Sequence, residues 1–149
     1  MRTKLFLRIS AVLALLLGIG HLMGRPWAPT NDPLASAIVI AMKSHQMHVM
    51  GFDRTFMDFY GGFGLMLGVN LLAEALLLWL FADLAEREPT RARAITAVFF
   101  LMNLVNTVLA GIYLFTAPLV LSAAVTLCLG AALVSPVSPP ARSAQAPAG

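Results

Sequence analysis

Three side chains able to hold or move a proton fall within or beside apolar sequence. Glu74 lies inside the run 56–81, FMDFYGGFGLMLGVNLLAEALLLWLF, which opens with Asp58 and carries Asn70 one helical turn before Glu74. His21 closes an earlier apolar run, 5–23. An ionisable group at membrane depth costs ~2.5–3.5 kcal/mol or more unless a partner or water meets it. A histidine held by an aspartate can serve as a general base. His and Asp at helix ends also act as plain interfacial anchors. The candidate proton donors and acceptors are therefore His21, Asp58 and Glu74. Glu74 carries most weight, because an intramembrane carboxyl is a functional candidate by default.

Glu74 needs company, and the sequence offers it. Asn103 and Asn106 fall near the middle of a third apolar run, and Thr126 falls at similar depth in a fourth. Thr96, Asn103, Asn106, Ala110 and Tyr113 recur at helical spacing and predict one shared face. Asn70, Glu74, Asn103 and Asn106 then line an interior ligand site, with Tyr113 at its outer edge and Arg54, Asp58 and Tyr60 shaping the mouth. Two rival readings stand beside it. Asparagines between membrane helices are often simple glue, at ~0.6 kcal/mol each. Arg8 could also reach Glu74, and a pair between them would be structural.

The run Met42 to Met50 holds thioethers and imidazoles, His45, Met47, His48 and Met50, of the kind that suit Cu(I). On a helix, His45 would stack over His48 and Met47 over Met50. No thiolate or nearby carboxylate strengthens the set, and methionine is ordinary apolar filler. No metal or other cofactor is expected. The sequence has no H-E-x-x-H, no CxxC and no nucleophile elbow; Gly61-Gly62-Phe63-Gly64 is not a phosphate loop, since no GK[ST] follows. A single cysteine, Cys128, excludes an internal disulfide.

These residues need helices to position them. Of the 149 residues, 59% are hydrophobic and 11% charged, with mean hydropathy +0.83. A soluble chain carries about 25% charged residues. The net charge of +3 comes from basic residues beside the apolar runs, which suits membrane orientation and not nucleic acid. Spans are predicted at 5–23, 56–81, 94–115 and 119–134, within one domain covering 1–134. The first is read as a retained helix, not a signal peptide, because Arg8 interrupts it and no small-residue cleavage site follows Gly20. Gly24, Pro26, Pro29 and Asn31 mark a loop; Asp32-Pro33 then starts a short surface helix over 33–45. Pro89 breaks the second span, and Thr116-Ala117-Pro118 reads as a tight turn. Residues 135–149, rich in Pro, Ala and Ser, read as a disordered tail. Arg2, Lys4, Arg8, Arg87, Arg91, Arg93 and Arg142 on one side outnumber Arg25, Lys43 and Arg54 on the other. Both termini are therefore expected in the cytoplasm.

LRISAVLALLLGIGHLMGRPW in the first span and MKSH…MGFDRTFMDFYGGFGL at the second resemble a small bacterial inner-membrane family with four helices and no settled activity. The chain is also loosely DoxX-like, and more distantly similar to emopamil-binding-type bundles, which use His and carboxylates on apolar ligands. The resemblance implies a bacterial inner-membrane location and an antiparallel all-α bundle.

The fold expected is thus an all-α, polytopic bundle of four antiparallel transmembrane helices, with a short extracytoplasmic helix between the first two. The expected role is binding a lipophilic small molecule or a partner helix in a polar-centred interior, with the lipid bilayer as surroundings. Rival roles are a membrane enzyme acting on a lipid-like substrate and a structural subunit of a membrane complex.

Overall fold

The computed structural model describes residues 2–24 and 31–136. Four helices are long and apolar enough to cross a membrane: α1 (Arg2–Gly24), α3 (Phe56–Arg87), α4 (Pro89–Tyr113) and α5 (Thr116–Val134). Between α1 and α3 come a shorter helix, α2 (Pro33–Ser44), and a hairpin of β1 (Gln46–Val49) and β2 (Phe52–Thr55). Arg25 and the loop prolines, and the tail beyond 136 with Arg142, lie outside the described residues.

The helix boundaries have local causes. Asp32 caps α2 by accepting the Leu34 N–H at 3.0 Å, and Pro33 needs no partner at the first helical position. A capping box opens α3. Thr55 Oγ1 accepts the Asp58 N–H at 3.1 Å, and Asp58 Oδ2 accepts the Thr55 N–H at 2.8 Å. Pro89 separates α3 from α4 by starting the second helix, where its missing N–H costs nothing. The last break falls at Leu114 and Phe115, earlier than the turn expected at 116–118. Pro118 is instead absorbed in the first turn of α5, where no helical N–H bond is required.

The hairpin is a departure from the sequence reading, which placed helix and loop there. Its antiparallel register pairs Gln46 with Thr55 and Val49 with Phe52. Met50 (φ 51°) and Gly51 (φ 88°) form the turn, both left-handed. Two such residues match the twist of a two-residue hairpin. Methionine is uncommon in that conformation, so the turn carries no ordinary hairpin signature.

The long helices run antiparallel to their neighbours. Lys4, near the start of α1, meets Glu86 near the end of α3 at 2.9 Å. Phe81 and Glu74 of α3 lie against Phe99 and Asn103 of α4 in the reverse order. Thr107 and Thr126 join α4 to α5 at 3.0 Å. α1 packs along α3 and α5, and α4 packs along α5; α3 and α4 meet over a shorter line. One end of the bundle, the basic end, collects the start of α1 and the α3–α4 junction. The other carries α2 and the hairpin.

Small and medium side chains fill the middle: Leu7, Ala11, Ala14, Ala75, Leu78, Ala82, Val125 and Leu129. Large apolar residues such as Leu65, Leu76, Leu77, Leu80 and Leu127 point outward. That distribution reverses the order of a water-soluble globule. Gly18 and Gly68 set the approach of α1 to α3. A Cβ on Gly68 would meet Leu22 Cγ at 2.7 Å, and one on Gly18 would meet Leu71 Cβ at 3.2 Å. Gly20-x-x-x-Gly24 has the small-residue spacing that allows close helix contact, yet a Cβ at either position would meet nothing within 4 Å. Gly18, not that pair, faces α3.

Candidate functional site

Glu74 is buried in the bundle at 7% exposure. Its partner is Asn103, whose Nδ2 donates to Glu74 Oε1 at 2.5 Å and also to the Phe99 carbonyl at 3.0 Å. The sequence had brought these two groups together, and the structure does the same. Asn103 sits on the buried stripe Ala92, Thr96, Asn103 and Ala110 of α4, so its amide points to the centre. Glu74 belongs to the stripe of α3 that also buries Ala75, Leu78 and Ala82. Among the described residues no hydrogen bond reaches the second carboxyl oxygen, Oε2.

The polar line continues toward α5. Thr107 Oγ1 lies 2.8 Å from the Asn103 carbonyl and 3.0 Å from Thr126 Oγ1, and Thr126 donates to the Ser122 carbonyl. Thr107 was not singled out from the sequence. Its signal was available: it lies four residues after Asn103 and therefore on a neighbouring face.

Arg8 does not pair with Glu74, as the sequence reading had allowed. Its Nη2 lies 3.2 Å from Asp83 Oδ1, and its guanidinium stacks over Trp79 at 4.9 Å. The reason is depth. In antiparallel packing α1 brings Arg8 level with Asp83, two to three turns from Glu74. Lys4 joins the same cluster, 2.9 Å from both Asp83 and Glu86. The cations at this end are thereby held by carboxylates near the end of α3, and the central carboxyl is left to an amide.

Asn70 and Asn106 are exposed, which corrects the expectation that they line the interior; Tyr113, expected at the outer edge, is 76% exposed. The helix period explains it. Asn103 and Asn106 differ by about 60° around α4, and Thr107 lies on the α5 side of Asn103. Asn106 therefore lies on the flank away from α5. Going one turn from the Glu74–Asn103 contact toward the hairpin end leads to Asn70 on α3 and Asn106 on α4. The two exposed amides share one level beside the buried pair.

His21 and Asp58 are engaged separately. His21 Nε2 is 2.8 Å from the Gly64 carbonyl oxygen, a bond between α1 and α3. Asp58 is occupied by the capping box. Arg54 turns back onto its own hairpin, 2.8 Å from the Asp53 carbonyl and over the Phe52 ring, and Tyr60 is exposed.

The four soft ligands do not gather. His45 follows α2 as its C-cap and stacks on Phe56 at 5.5 Å. His48 Nδ1 lies 2.9 Å from Asp53 on the opposite strand. Met47, its strand neighbour, points to the other face of the ribbon. Met50 is at the apex, 94% exposed. The helical spacing that would stack these residues is absent because 46–49 is a strand. Among the described residues, no three His, Cys, Asp or Glu side chains form a group able to hold a metal.

No family model, curated protein or solved structure matches this chain.

Proposed function

We propose that this chain is a multi-pass membrane protein that binds a lipophilic molecule bearing a hydrogen-bonding head, taken up laterally between α3 and α4. Support for the membrane comes from the four long apolar helices and from the outward leucines around an alanine-rich middle. Small residues inside and large ones outside are what helix packing in lipid favours.

The observation that carries the binding reading is the incomplete polar group at Glu74. One oxygen has Asn103; the other has no partner among the described residues. One turn away, the Asn70 and Asn106 side chains are exposed and make no hydrogen bond among the described residues. Unpaired polar groups in hydrocarbon cost several kcal/mol each, roughly. A ligand head answering them would recover that cost, and its apolar body would lie along the exposed leucines. The short line of contact between α3 and α4 supports entry from the side.

A partner helix is the second reading, and the exposed asparagines favour it specifically: an amide both donates and accepts, so it suits another helix as well as a ligand. Acid–base catalysis is less supported, since His21 and Asp58 are each engaged in bonds that hold helices and caps. In the inner-membrane setting expected from the resemblance, the basic end faces the cytoplasm.

The test is photolabelling of the full chain in nanodiscs with a diazirine-bearing long-chain alcohol. Labelling is expected on α3 and α4 around Asn70 and Asn106, competed by unlabelled alcohol and reduced about fivefold or more in Glu74→Ala, the loss of one hydrogen bond's worth of affinity. Even labelling of all exposed faces, unchanged in the variant, would defeat the reading. Protein–protein cross-links through the same residues would replace the ligand with a helix.

A further inference from the structure

A second site lies at the basic end, away from Glu74. There the ends of all four long helices surround a cavity of about 300 Å³, lined by Thr3 and Lys4 of α1, Glu86 of α3, Arg93 of α4 and the last residues of α5. Its inner wall is built from small buried side chains, Ala92, Thr96 and Ala132.

The charges there are unevenly matched. Asp83 is taken by Lys4 and Arg8, Glu86 by Lys4, and Glu88 by Arg91 at 2.9 Å. Among the described residues no carboxylate pairs with Arg93, although its side chain lines the cavity. Lys4 and Arg93 against Glu86 leave the lining with one net positive charge.

We infer that this cavity binds a singly charged phosphodiester, held between Arg93 and Lys4, with the headgroup of an anionic phospholipid as its source. A guanidinium offers paired donors in the fork geometry that phosphate oxygens accept, and lysine adds a point charge. Basic pockets between membrane helices at the cytoplasmic side recognise anionic headgroups in this way. The small, mixed wall of Ala92, Thr96 and Ala132 leaves room for the glyceryl end of the lipid. The Lys4 ammonium is 2.9 Å from both Asp83 and Glu86, so it screens Glu86 and keeps one N–H for the phosphate, and the net positive charge facing the anion is that of Arg93.

The experiment uses the full chain in detergent, titrated with dioctanoyl phosphatidylglycerol and, separately, dioctanoyl phosphatidylcholine, read by native mass spectrometry. Saturable binding is expected for phosphatidylglycerol, about tenfold tighter than for phosphatidylcholine. Arg93→Gln should weaken it about fivefold, and Arg93→Lys should recover part of the loss. Arg91→Gln is the control. It removes the same charge at the same end, but from a residue paired with Glu88 outside the cavity, and should change binding less than about twofold. Equal losses in Arg93→Gln and Arg91→Gln would reduce the effect to general surface charge and overturn the site. Lack of preference for phosphatidylglycerol would overturn it too. Displacement of the lipid by inorganic phosphate would keep the phosphate chemistry but make a soluble phosphate the occupant; failure to displace supports the lipid. None of these readouts involves Glu74, so this site stands or falls separately from the one between α3 and α4.

Discussion

At the scale of single residues, the hydrogen bond between Glu74 and Asn103 fixes what substitutions should do. A glutamine at position 74 keeps an oxygen that can accept the Asn103 N–H and removes the ionisable group. Glu74→Gln should therefore lower the thermal midpoint in detergent only slightly. Glu74→Ala leaves the Asn103 amide short of an acceptor and is expected to cost about 1–3 kcal/mol. If both variants melted with the wild type, the contact would be irrelevant to the fold. Thr107 makes a comparable case at smaller scale. Its single hydroxyl hydrogen goes either to the Asn103 carbonyl or to Thr126, so Thr107→Val should cost about 0.5–1.5 kcal/mol, read by the same melting experiment.

At the scale of elements, two contacts decide how α1, α3 and the hairpin sit together. Gly68 faces Leu22 closely enough that any side chain there must push α1 away or drive Leu22 from its place. Gly68→Leu should cost about 1–3 kcal/mol by overpacking, while Gly20→Leu, with nothing within 4 Å of its Cβ, should be nearly silent. Equal melting of the two would show that Gly68 does not set the helix spacing. The capping box is the hinge between β2 and α3. Thr55→Ala removes the side-chain acceptor of the Asp58 N–H and should cost about 1 kcal/mol. Faster hydrogen exchange should follow in the first turn of α3, not in α5, and exchange spread evenly over the bundle would argue against a local cap.

At the scale of the whole molecule, the antiparallel packing separates two chemically different ends. Lys4, Arg8, Asp83, Glu86, Glu88, Arg91 and Arg93 gather at one; α2, the hairpin and Asp58 lie at the other. If the helices cross a membrane, cysteines placed at Ser44 and at Thr90 in a Cys128→Ser background should react with an impermeant thiol reagent from opposite sides. Which of the two ends reacts from the cytoplasmic side tests the orientation expected from the Lys and Arg distribution. Labelling of both from one side would sink the transmembrane arrangement.

Much of this was open to the sequence. Four long apolar runs punctuated by Pro89 and the residues before α5 fix the number of long helices, because length and hydropathy are properties of each run by itself. Asp32-Pro33 marks the start of α2 for the same local reason. Pairings between runs depend on how far each helix is rotated and slid against the next, and one-dimensional spacing holds neither quantity. Hence Asn103 could be matched to Glu74, while Asn106, only three residues on, was turned outward by a rotation of about 60°. Arg8 was within possible reach of the buried carboxyl by sequence, and the axial offset of α1 against α3 gave it to Asp83 instead. The hairpin at 46–55 arose from two left-handed residues at Met50 and Gly51, a conformation that methionine does not announce.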